Sequence, residues 1–408
     1  MEGVQNLPAL RIVRIPGRRA VSLAVWLAEG SATETPAEAG VTHLLEHLTL
    51  RRCGGRDRRA LARDIDRLGG SVDAWTSRTA MGLEVTTTRD GIREAASLLA
   101  DAVTRPTFEE GDIDLERRIA LAEIALARDD PQDVADEALL EAAWGAHPLA
   151  RPVIGTPETL AGVTAETLRR RHGALIRPGG VLVVAAGDVE AADLEPLASR
   201  LPLSRPPERR LPASPRWHGG RVVRTRPGGE QVHVRLAFPA PGLESPDRTV
   251  LAVLVRILGG GQSSRLFQRV REEDGLAYDI GAGVVAYRGA GLLEIAWGCD
   301  PSCLGAVHGA VHEEIRRLVA GVDGEEVEVA VEGLWRGMVL DAEDVTGRAA
   351  LEGAWLIERG EPFSLERAGE ELRAVTASSV RRLARRVLDP GKAALAVVGP
   401  EGCAVRVA

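Results

Sequence analysis

Two stretches of this chain, 212 positions apart, carry one pattern. VTAETLRRRHGALIRPGGVLVVAAGDVE begins at Val163 and VTASSVRRLARRVLDPGKAALAVVGPEG at Val375. The offset holds without a gap to Gly187 and Gly399. About half the positions match, and the order of residue types agrees throughout. Each stretch reads as a helix, a Pro-Gly turn and a buried strand. A repeat of this kind predicts two copies of one architecture within the 408 residues.

The remaining patterns fill in that architecture. LRIVRI and AVSLAVWLA read as strands joined at PGRR, and AMGLEVTTT alternates as a half-buried strand does. Helical periodicity covers about 38–52, 57–68, 90–103, 110–128 and 156–172, with Asp57 as an N-cap and Gly69-Gly70 as a stop. Strands recur near 231–238, 277–287 and 291–298. The expected class is α+β: two homologous domains, each a mostly antiparallel sheet with helices packed on one side. Five prolines between 202 and 215 mark residues 202–217 as an extended linker. The domains are therefore expected at 1–201 and 218–408.

Charge and composition remove several functions. A net charge of −8 argues against nucleic acid as the main partner. Of 51 basic residues only Lys392 is lysine, and it lies in an apparent turn. That leaves no lysine beside Ser or Thr for a phosphate loop and no good candidate for a pyridoxal Schiff base. Four cysteines without a CxxC pair fit a reduced, cytoplasmic protein. MEGVQNLPAL does not resemble a leader, and the early apolar run VSLAVWLA is too short to span a membrane.

The chemistry concentrates in THLLEHLTL, residues 42–50. On a helix, His43, Glu46 and His47 share a face, while Val41, Leu44, Leu45 and Leu48 cover the rest and suit a core. Two imidazoles at i and i+4 can bind one divalent ion, and zinc favours nitrogen. A carboxylate beside them can take a proton from water. His-x-x-Glu-His is the inverted form of the commoner zinc motif. A second pair with the same spacing, His308 and His312, has no distal ligand suggested by any pattern and reads as an ordinary helix face.

With its lead-in AEGSATETPAEAGVTHLLEHL, the chain resembles the M16 metallopeptidases, the family of pitrilysin, insulin-degrading enzyme and the mitochondrial processing peptidase, in their bacterial two-domain form. The resemblance extends over essentially the whole chain. It implies one Zn2+ per chain on His43, His47 and Glu123, the last lying 76 residues beyond the second histidine. It implies Glu46 as general base and Glu116 as a supporting acid that orients a ligand. GGGQSSRLFQRVREEDGLAYDIGAG resembles the family's C-terminal segment, where the pair Arg271 and Tyr278 contacts substrate and steadies the oxyanion. Gly259, Gly260 and Gly261 resemble its glycine-rich loop.

The implied activity is hydrolysis of short or unfolded peptides inside a chamber closed by a second M16 chain. That chain would be another copy or a paralogue, the latter pairing maturing a dedicated precursor. No metal helix recurs in the second half. GSVDAWTSRTA resembles the edge strand to which substrate adds, with Asp73 where asparagine is usual. RRCGG departs from the usual Lys-Gly-Thr after the metal helix. One rival reading is a structural subunit without catalysis, and the intact His43, Glu46, His47 and Glu123 argue against it; a second is a metal-independent peptide carrier, which zinc content would separate.

Overall fold

A computed structural model describes residues 7–403. The stretch read for a leader lies mostly outside these residues. The chain divides into two compact units, the first formed by residues up to 125, 152–212 and 340–363, the second by 126–151, 213–339 and 364 onward. They are not the two continuous stretches of the sequence reading. The segments 126–151 and 340–363 are exchanged between the halves.

The first unit holds β1 (Leu10–Arg14), β2 (Ala20–Leu27), β3 (Ser71–Thr76), β4 (Met81–Thr88) and β5 (Val181–Gly187) in the order β1-β5-β2-β4-β3. The second holds β6 (Arg221–Thr225), β7 (Val232–Ala240), β8 (Asp279–Tyr287), β9 (Ala290–Cys299) and β10 (Ala394–Gly399) in the matching order β6-β10-β7-β9-β8. In each sheet one outer pair is parallel, β1 with β5 and β6 with β10, and the other pairs are antiparallel. The sequence repeat lands on equivalent elements. Helix Ala165–Leu175 precedes β5 as helix Ala377–Val387 precedes β10, and each is capped by a threonine, Thr164 or Thr376.

Both faces of each sheet are covered, not one. β5 reads VLVVAAG without alternation and is buried throughout. Val181, Val183 and Ala185 join the main core with Leu44, Leu45, Leu99 and Leu168. Leu182, Val184 and Ala186 face a smaller cluster with Ala349 and Ile357 of helix Val345–Arg359. A continuous apolar run is what two-sided burial demands. Gly353 lets this helix approach, because a Cβ there would stand 2.4 Å from Trp26 Nε1.

Helix Pro131–Trp144 packs on β6, β7 and β10 in the corresponding way. Asp130 at its N-cap and Pro131 at its first position are ordinary start signals. The expected helix over 156–172 is two helices, Pro157–Ala161 and Ala165–Leu175. Thr164 is extended and caps the second, so the chain must turn there.

Helix Pro131–Trp144 is tied to its sheet by an ion cluster around the buried Arg235. Arg235 on β7 pairs with Asp136 of the helix at 2.5 Å and with Glu294 of β9 at 3.1 Å. Burial, with Asp136 beside it, pushes the Glu294 carboxyl up to about 7 against the pull of Arg235. A carboxyl whose folded value is raised adds stability below its ordinary value of 4.5, and that stability is lost as pH rises through 7. The shift is worth about 3 kcal/mol. Glu294→Gln is expected to shrink the difference between urea midpoints near pH 5 and near pH 8. An unchanged difference would contradict this.

Among the described residues no helix is long and apolar enough to cross a membrane. All four cysteines are free.

Candidate metal centre

Helix Val41–Thr49 carries VTHLLEHLT. Leu44, Leu45 and Leu48 are fully buried in the first unit's core. At about 2 kcal/mol for each such side chain, the apolar stripe fixes the rotation of the helix. The opposite stripe, His43, Glu46 and His47, is left half-buried.

The helix start is held by a residue that spacing did not point out. Glu34, itself buried, accepts from Gly40 N at 2.9 Å and Thr42 N at 2.7 Å. It therefore occupies two amide donors that the first turn cannot use. Gly40 has φ 91°, and a Cβ there would stand 2.6 Å from Ile154 O, so both conformation and space demand glycine. Arg171 of helix Ala165–Leu175 donates to Thr42 Oγ1 at 2.9 Å and Gly30 O at 2.8 Å.

Helix Glu110–Asp129 supplies the distal acids. It buries Ile113, Ala120 and Ile124 and turns Glu116 and Glu123, two helical turns apart, toward the histidines. Arg117 anchors it by donating to Leu160 O at 3.1 Å and Val163 O at 2.8 Å.

The side chains converge. His43 Nε2 and His47 Nε2 are 3.3 Å apart, and Glu123 Oε2 lies 3.7 Å from the first and 3.6 Å from the second. One donor atom from each of the three falls within 4.8 Å of the others, and among the described residues no other such group of three is present. Burial, then the nearby His47, holds His43 down at about 4, so its imidazole is neutral and offers a lone pair. Two imidazole nitrogens and a carboxylate oxygen are a zinc donor set, and the residues fit the ion.

His47 Nδ1 lies 3.1 Å from Glu116 Oε2, whereas His43 Nδ1 is buried with no partner among the described residues. Glu46 stands beside the cluster and contributes no atom to it. Burial raises its carboxyl above the ordinary range; Thr76 and His47 oppose that, and Asp73 and Glu123 reinforce it.

Arg271 and Tyr278 lie in the second unit, Arg271 in a π-helical turn, Phe267–Glu273. Its guanidinium stacks 4.7 Å over the Phe267 ring and 5.1 Å over the Tyr278 ring, and Tyr278 is 82% exposed. Gly259 passes against β8, where a Cβ would stand 2.6 Å from Ala282 N, and Arg256 donates to Gly260 O. His308 and His312 meet edge to face with ring centroids 4.4 Å apart, and among the described residues no third ligand is gathered to them.

Residues 12–157 match the family model described as insulinase, peptidase family M16, and residues 162–334 the model described as the peptidase M16 inactive domain. An uncharacterized zinc protease of Mycobacterium leprae is 32% identical over 96% of this chain and 90% of its own length. One of Bacillus subtilis is 30% identical over 98% and 97%. Among solved structures, a protease from Helicobacter pylori has a TM-score of 0.87 at 18% identity, covering 96% of this chain and 97% of its own. A peptidase M16 inactive domain from Pseudomonas fluorescens has a TM-score of 0.85 at 21% identity, covering 96% and 95%. With whole-length relatives at 30% and 32% identity, and family models matching both halves, the chain belongs to the insulinase family of peptidases, M16.

Proposed function

We propose that this chain is a zinc endopeptidase that cleaves short or unfolded peptides, with His43, His47 and Glu123 holding one zinc ion. The convergence of these three side chains at one point carries the reading. An ion held there would acidify water and polarise the scissile carbonyl. Glu46 takes the proton from the attacking water and returns it to the leaving amine. Its position next to His47, outside the donor set, suits that task. Glu116 orients His47. Arg271 and Tyr278 present a forked cation and a phenol to the peptide and steady the oxyanion.

β3 is the outer strand of its sheet, and its free edge suits main-chain pairing with peptides of varied sequence. The enzyme works as a dimer with a second M16 chain, either another copy or a paralogue with which it matures a dedicated precursor. Four free cysteines suit a cytoplasmic setting. Purified protein is expected to cleave a quenched peptide library, to stop on chelation and to resume on zinc addition. Cleavage that survives complete metal removal would overturn the proposal.

A further inference from the structure

A chain of alternating charges runs from the surface to His47. Arg52 Nε donates to Asp112 Oδ2 at 2.8 Å. The other oxygen, Asp112 Oδ1, accepts from Arg51 Nε at 3.2 Å. Arg51 Nη1 donates to Glu116 Oε1 at 2.6 Å. Glu116 Oε2 is the atom that meets His47 Nδ1, at 3.1 Å. The side chains of Arg51, Asp112 and Glu116 are exposed by only 10%, 11% and 7%.

Glu116 thus has one oxygen on Arg51 and the other on His47. A carboxylate paired with a guanidinium accepts hydrogen bonds and does not donate them. His47 therefore donates from Nδ1 to Glu116, which leaves Nε2, the atom that points at His43 and Glu123, as the nitrogen turned to an ion. Without Arg51, Glu116 would be a buried charge with no cation against it, free to turn from His47.

We infer that Arg51 is a positioning residue for the metal centre: its forked contact with Asp112 and Glu116 fixes the Glu116 carboxylate on His47 and so sets the tautomer that binds zinc. This rests on the zinc peptidase reading above. Arg51 follows the metal helix, at the point where RRCGG departs from the resembled pattern, and it touches none of the three donors. Its reach through Glu116 depends on the fork. Lysine offers a compact charge that cannot hold two carboxylates in one plane.

The test is zinc affinity, measured by chelator competition on the full chain, for wild type, Arg51→Met, Arg51→Lys, Glu116→Gln and the double variant Arg51→Met/Glu116→Gln. Arg51→Met and Glu116→Gln are each expected to weaken zinc binding about 10- to 100-fold, with Arg51→Lys between wild type and Arg51→Met. The double variant is expected to be no weaker than Glu116→Gln alone, because Arg51 acts through Glu116. A merely structural arginine would lower thermal stability without moving the affinity, or its loss would multiply with that of Glu116→Gln. Either result overturns the proposal. If Arg51→Met does not fold, the ring-nitrogen NMR shifts of His47 in zinc-free Arg51→Lys decide the matter: a mixed tautomer supports the proposal, and a wild-type tautomer overturns it. Wild type that takes up no zinc would instead sink the peptidase reading itself, so the two failures are distinct.

Discussion

Glu46→Gln keeps its zinc and loses cleavage by about 10²- to 10⁴-fold, the range that one general base supplies. Glutamine preserves shape and half-burial but cannot take a proton. The two effects separate because Glu46 gives no atom to the donor group of His43, His47 and Glu123. Zinc per chain and the cleavage rate, measured on the same preparation, check both halves. A variant that cleaves at the wild-type rate removes Glu46 from the chemistry. One that loses zinc makes it a ligand.

His47→Ala loses both. His47 is the one donor whose far nitrogen meets an acid, and its Nε2 lies within 3.6 Å of both other donor atoms. With it gone, two donors remain, on different helices. Zinc content after dialysis is expected to fall from one per chain to near zero, and cleavage with it. A ligand at a hundred times its dissociation constant stabilises a fold by about 2.7 kcal/mol. The rise in melting temperature that zinc gives wild type should therefore vanish in His47→Ala and persist in His308→Ala. Loss of that rise in His308→Ala would point instead to the pair 4.4 Å apart on helix Leu304–Ala320.

The parts of the fold legible in the sequence were those ruled by local period. Helix Val41–Thr49 was readable because its apolar residues return every three or four positions, and β4 because MGLEVTTT alternates. Asp57 and Gly69 bounded their helix as expected, the aspartate accepting from Ala60 N and the glycine taking φ 70°. The exchange of helices Pro131–Trp144 and Val345–Arg359 was not legible. An amphipathic helix shows which face it buries, and nothing in its period says which of two similar sheets receives it. β5 held a trace of the answer, since an unbroken apolar strand in a mostly antiparallel sheet calls for cover on both faces.

The site divides along the same line. His43, Glu46 and His47 share one helix, so spacing alone set them together. Glu123 and Glu116 came from family resemblance, because positions 76 and 69 residues beyond His47 share no local geometry with it. Glu34, Arg171 and Arg51 were not marked. Glu34 acts through nearby backbone amides, and Arg171 and Arg51 through a hydroxyl and a carboxylate across the fold; buried polar residues of that kind look like surface charge in a sequence. Arg271 and Tyr278 do stack, as a pair seven apart across a turn can, and their part in catalysis belongs to the proposal.

The most direct measurement is anomalous diffraction at the zinc edge from crystals of the zinc-loaded protein. The account predicts one strong peak per chain, at about 2.1 Å from His43 Nε2, His47 Nε2 and a Glu123 oxygen. A peak at His308 and His312, or no peak on the helix Val41–Thr49, would contradict it.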